Sequence, residues 1–144
     1  MKRRYIVLGT ILLGIGVGYV TMRPTTYKET VGQITHAGQT PIVSVTVPEV
    51  TGNAAIGENI FSNICAACHG PAGAGNEGYG PPLIHKIYEP SHHGDEAFQR
   101  AVAYGVKSHH WPFGNMPPQV GLTRGDVSMV IAYVREVQRA NGIK

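Results

Sequence analysis

The chain has 144 residues, room for one domain and an appendage but not for two ordinary domains. Only 15% of it is charged while Gly (19) and Pro (10) are plentiful, which points to a compact core wrapped in turns. The net charge of +3 sits at the N-terminus: from Gly52 onward seven basic residues face seven acidic ones, so no basic stripe argues for nucleic acid.

The first element follows Lys2, Arg3 and Arg4. Tyr5 to Met22 runs for 18 residues without a charge, about 27 Å as a helix and enough for a thin hydrocarbon core. A cleaved signal peptide is the rival reading, but it needs a small-residue cleavage site. The run ends instead in Gly18, Tyr19, Val20, Thr21 and Met22, with Arg23 and Pro24 next. A lipoprotein is excluded because the only cysteines are Cys65 and Cys68. Residues 1–22 are therefore read as an uncleaved signal anchor, a single transmembrane helix in a bacterial inner membrane. Its basic end stays cytoplasmic and the rest of the chain faces the periplasm. Gly14 and Gly18 have the G-x-x-x-G spacing through which two such helices can pack as a dimer, although glycine is common in them anyway.

Residues 23–53 read as an extended linker, punctuated by Pro24, Pro41 and Pro48. Stretched out, it reaches on the order of 100 Å. Within it Pro41 to Val47 alternates like a strand, yet no partner strand shows itself, so it either lies against the domain or bridges to another protein. A domain over residues 54–144 follows. Its first helix is expected from about Ala54 to Cys65, with Ile56, Ile60, Phe61 and Ile64 at helical spacing and Gly52 or Asn53 as cap. A second is expected from about Asp95 to Val106, carrying Ala97, Phe98, Ala101, Val102 and Tyr104 and stopped by Gly105. The third opens with Thr123 and Asp126 in a capping-box arrangement, carries Val127, Val130, Ile131, Val134 and Val137, and ends at Asn141 and Gly142. About 30 residues of glycine-, proline- and histidine-rich loop separate the first two helices, and such loops need something to wrap.

Cys65 to His69, CAACH, supplies it. The C-x-x-C-H pattern reads as c-type haem attachment, with two thioethers to the haem vinyls and His69 as the proximal iron ligand. The competing readings each lack something. A disulfide across two residues is strained, a thioredoxin-type pair needs a βαβ context, and a zinc knuckle needs a second ligand pair. Gly73 to Gly78 spells G-x-G-x-x-G, the dinucleotide fingerprint, but it follows a helix and runs into Pro81 and Pro82. It reads as a flexible loop rather than a phosphate cradle.

From about Ala54 to Ile143 the chain resembles a class I cytochrome c. The first helix and CAACH carry the resemblance, as does Gly80 to Leu83, GPPL, which is similar to that family's G-P-x-L. The resemblance implies an all-α fold: three main helices and long loops around one covalently bound haem, here with an N-terminal transmembrane helix. It implies that the Pro81 carbonyl accepts the second ring proton of His69, and that Leu83 packs on the haem face. It also implies that Gly57 and Phe61 meet Tyr133 where the first and last helices cross. The family's distal ligand, a methionine followed by proline, falls on Met116 ahead of Pro117 and Pro118. Thioether ligation raises the potential; the rival ligands His109 and His110 would lower it. Trp111 is expected in the pocket with its indole N–H aimed at a propionate, and Tyr79, Tyr88 and Arg100 are lesser candidates for that task.

Five histidines, His85, His92, His93, His109 and His110, crowd the span between CAACH and Met116. His109 and His110 are read as crevice rim; the other reading is a second metal site, with copper as its candidate ion, joining His92 or His93 to His109 or His110. The reading as a whole is a membrane-anchored periplasmic electron carrier, not itself an enzyme. It carries single electrons between protein donors and acceptors that the sequence does not identify. The haem subunit of a periplasmic oxidoreductase and a haem-based ligand sensor are the alternatives.

Overall fold

The computed structural model describes residues 38–144. The signal anchor at residues 1–22, with its Gly14 and Gly18, and the linker as far as residue 37 lie outside the described residues. Among the described residues no helix is long and apolar enough to cross a membrane. They form helices joined by long loops, with no strand and only two isolated bridges.

The first helix is longer than its apolar pattern predicts and irregular within. Helix α1 (Gly52–Ile60) starts after Thr51, which makes no side-chain cap bond, so neither Gly52 nor Asn53 is the cap. It does not stop at Cys65. A π turn (Phe61–Cys65) lets the Ala66 N–H reach back five residues to the Phe61 carbonyl, and helix α2 (Ala66–His69) carries the axis on to Gly70. Gly70 stops it at φ 71°, a conformation that a side chain resists. Helix α3 (Asp95–Tyr104) is stopped by Gly105, φ 75°, as expected, and so falls two residues short of Val106. Helix α4 (Arg124–Ala140) opens with the anticipated capping box: Thr123 Oγ1 accepts from the Asp126 N–H, and Asp126 accepts from the Thr123 N–H.

The core sits where α1 crosses α4. A Cβ on Gly57 would collide with the carbonyl of Met129, so only glycine permits this approach. One turn on, the buried rings of Phe61 and Tyr133 meet at 5.6 Å and 53°. Val127, Val130, Ile131, Val134 and Val137 are all buried, as their stripe predicts. The stripe of the first helix fails in part, because Ile56 is 52% and Ile64 40% exposed. Among the described elements that helix packs chiefly on α4, along the Gly57–Phe61 edge. On α3 the tyrosine counted into the apolar face, Tyr104, is exposed, whereas polar Gln99 is buried. Gln99 Nε2 donates to the Arg124 carbonyl at 3.0 Å and to Ser128 Oγ at 3.1 Å, which fastens α3 to the start of α4.

Residues 39–50, expected as linker, lie extended on this body. The Ile42 and Val43 N–H groups both donate to the Ala74 carbonyl at 3.1 Å, and Val45 is buried in the core cluster. Thr46 exchanges two bonds with the side chain of Asn141 at the end of α4. No strand pairs with the segment; loop carbonyls and side chains satisfy it instead. A second tie is buried Arg135 on α4. Its guanidinium donates to Asp95 (3.0 Å) and to the carbonyls of Tyr88 (2.7 Å) and His93 (2.6 Å), and it lies over the Phe98 ring. Gln138 donates to the Leu83 carbonyl at 2.9 Å from the same helix face.

Candidate haem site

The π turn and α2 present Cys65, Cys68 and His69 in one and a half turns. Cys65 is half-buried and Cys68 exposed, and both are free thiols. Burial, with Cys68 adding to it, pushes the Cys65 thiol up to about 11.

His69 is fixed by a single bond of consequence. Its Nδ1–H donates to the Pro81 carbonyl at 2.9 Å, which leaves the Nε2 lone pair free. Loss of hydration pulls its pKa below the ordinary histidine value, and the Pro81 bond opposes that only in part, so the ring is neutral and ready to ligate. Gly80 explains how the proline carbonyl reaches this far, since a Cβ there would stand 2.6 Å from the Cys68 carbonyl oxygen. The two-bond turn between Asn76 and Gly80 sets the approach, and the Asn76 amide donates to the Ala67 carbonyl at 3.2 Å. The G-x-G-x-x-G stretch therefore has no strand before it and opens no helix. Nor is it flexible: Gly73 to Asn76 are buried and bonded. Leu83 is buried beside Gly73, in the core cluster.

Met116 comes from the far end of the histidine-rich loop and is half-buried. Its backbone exchanges two hydrogen bonds with Val106, 2.9 and 3.0 Å, which close residues 107–115 into a loop. Inside it the Ser108 N–H donates to Asn115 Oδ1 at 2.9 Å and its hydroxyl bonds to the Trp111 carbonyl. The thioether is thus carried on backbone fastened from both sides, with Pro117 and Pro118 following. Trp111 stacks on Phe113 (6.0 Å, 11°) and meets His85 edge-on at 5.2 Å. Its Nε1–H is buried and without a partner; Tyr88 lies near enough to be affected by it but makes no well-formed bond. Tyr88, half-buried, has its phenol pushed up to about 12, chiefly by burial. Of the lesser candidates, Tyr79 and Arg100 are exposed.

The family model for cytochrome c matches residues 54–138, more than half of the chain. The chain belongs to the cytochrome c family. No curated protein and no solved structure gives a significant match. As a cytochrome c the protein carries covalently attached haem c, and its residues fit that group. The only two cysteines are unpaired on adjacent turns, an imidazole with a free Nε2 follows at once, and a buried indole N–H has no acceptor. The half-buried face of α3 (Ala97, Phe98, Ala101, Val102) is what a chain lacking its largest apolar group would leave uncovered.

Sequence reasoning passed over Arg135 and Gln138, counting the first only as a surface charge. The signal was available: both stand on the buried side of the α4 stripe, at i+4 and i+7 from Ile131.

Proposed function

We propose that this cytochrome c is a membrane-anchored electron carrier with His69 and Met116 as axial ligands, exposed to the bacterial periplasm. Haem c supplies one reversible electron at iron, and the polypeptide supplies everything that tunes and places it. Cys65 and Cys68 hold the group, and His69 presents a neutral Nε2 whose basicity the Pro81 carbonyl raises. Met116 offers a soft thioether that favours the ferrous state. The observation that carries the reading is the 2.9 Å bond between His69 and Pro81, because it fixes tautomer and orientation for metal ligation and for nothing else nearby. The neutral domain and the uncharged run from Tyr5 to Met22 support a carrier held at a membrane and guided to its partners by contact rather than by a strong field.

The alternative, a haem subunit of a periplasmic oxidoreductase, took residues 41–47 as its docking element. The N–H groups of Ile42, Val43 and Thr46 in that segment are engaged within this chain. The test of the axial pair is the ferric optical spectrum of wild type and Met116→Leu. Loss of the long-wavelength sulfur-to-iron band in the variant is expected, with a lowered reduction potential. Persistence of the band would overturn the assignment. Membrane attachment is tested by fractionating cells: haem protein should sediment with membranes for the full chain and become soluble when residues 1–22 are replaced by a cleavable leader.

A further inference from the structure

We propose that His92, His93 and His110 form a second metal site, separate from the haem, that takes one borderline divalent transition ion and holds copper(II) most tightly. One nitrogen of each of the three rings lies within 4.8 Å of the others. Three imidazole nitrogens about 2.0 Å from a common ion stand roughly 3.3 Å apart, so modest rotation of the two exposed rings, His92 and His110, closes the site. Their ring centroids already lie 4.7 Å (His92 to His93), 5.3 Å (His93 to His110) and 5.5 Å (His92 to His110) apart.

His93 is prepared for the task. Its Nδ1 is bonded to the Ile87 carbonyl at 2.6 Å, which makes that nitrogen the donor and directs the Nε2 lone pair outward. Its backbone is held too, since the His93 N–H donates to the Glu89 carbonyl and Arg135 donates to the His93 carbonyl. The charge of Arg135 is met by Asp95 at 3.0 Å, so the nearest cation is already paired. His110 comes from the loop closed by Val106 and Met116, so the site joins two separate segments of the chain. One shared cation can take a nitrogen from each of the three rings.

The donor set decides the ion. An all-nitrogen site with no carboxylate disfavours magnesium and calcium, which want oxygen. Among first-row divalent ions, affinity peaks at copper and falls at zinc. His109 lies beside the group, tilted at 4.2 Å from the His110 ring and stacked at 6.2 Å on the His93 ring, but it is outside the triad and bonds to the Lys107 carbonyl instead. The ion would join the segment before α3 to the loop closed by Val106 and Met116.

The test titrates copper(II) alone into the full-length, haem-loaded, chelator-washed protein in detergent, followed by calorimetry and by electron paramagnetic resonance. One ion per chain with nitrogen splitting from imidazoles is expected. His93→Ala or His110→Ala should weaken binding at least about 100-fold, the upper end of what outer partners alone contribute. His109→Ala should bind close to wild type, and zinc should bind at the same place more weakly. His92→Gln keeps a side chain of similar reach, so it guards against loss through misfolding, and an unchanged haem spectrum shows each variant folded. Copper binding that is absent, or no tighter than in the His92→Ala/His110→Ala double variant, overturns the site. Equal loss in His109→Ala overturns the triad as drawn.

Discussion

Trp111 is the residue at which the polypeptide alone leaves a demand unmet. Its indole N–H is buried without an acceptor, a state that costs about 1–3 kcal/mol if nothing satisfies it. The stacking on Phe113 and the edge contact with His85 are apolar in kind, and phenylalanine would reproduce much of both. Trp111→Phe therefore separates two cases by sign. If the N–H bonds a haem carboxylate, the holoprotein should lose about 1.5–3 kcal/mol in urea unfolding, the range for a bond to a charged group. A variant as stable as wild type, or more so, would show that the donor is idle. His69 and Pro81 were legible because a motif names both ends of their bond. The orphaned indole was legible only as an expectation, since burial is a property of the fold and not of the residue.

At the scale of elements, one crossing and one cap carry most of the argument. Gly57→Ala puts a methyl group into the Met129 carbonyl, and backbone cannot step aside as a side chain does. The cost should exceed the ordinary 1–3 kcal/mol of overpacking, with a lowered denaturation midpoint for the holoprotein as the measure. Unchanged stability would mean that α1 and α4 cross elsewhere. At the start of α4, Thr123→Ala removes one half of the capping box and should cost about 1 kcal/mol. The Thr123 hydroxyl and N–H hold the Asp126 carboxyl below its usual range. A depressed carboxyl contributes stability above its unfolded value, near 3.8, and loses it as pH falls through the folded one. The gap between wild type and Thr123→Ala should therefore narrow on acidification below that value, and a constant gap would argue against the bond from the Thr123 hydroxyl to the Asp126 carboxylate. The cap and the α4 stripe were readable because both depend on local spacing. The π turn was not: FSNIC contains no proline or glycine pair to announce an extra residue in the turn. Ile56 and Ile64 misled for the complementary reason, since helical periodicity records where apolar residues fall and not how many neighbours arrive to cover them.

At the scale of the whole molecule, the domain begins earlier than its first helix. Alternation in residues 41–47 left two readings open, and the segment lies against its own body. Gln39 donates to the carbonyls of Ala66 and Ala67 within the haem-binding turn, Thr40 accepts from Glu77, and Val45 fills the core. Asn141 closes the other end through Thr46. The strap thus touches the attachment helix, the loop that positions Pro81, and the last helix together. A holoprotein starting at residue 51 should therefore have a lower urea midpoint than one starting at residue 38. Burial of Val45 and the strap's hydrogen bonds stabilise the fold, and the entropy of ordering the strap offsets part of that. Urea unfolding of the two haem-loaded forms measures it, and equal midpoints would show that the strap follows the domain without supporting it. Because Gln39 and Asn76 both donate to the Ala67 carbonyl, the shorter form should also expose the haem-binding turn to faster amide exchange, while exchange in the middle of α4 should change no more than the global loss of stability requires.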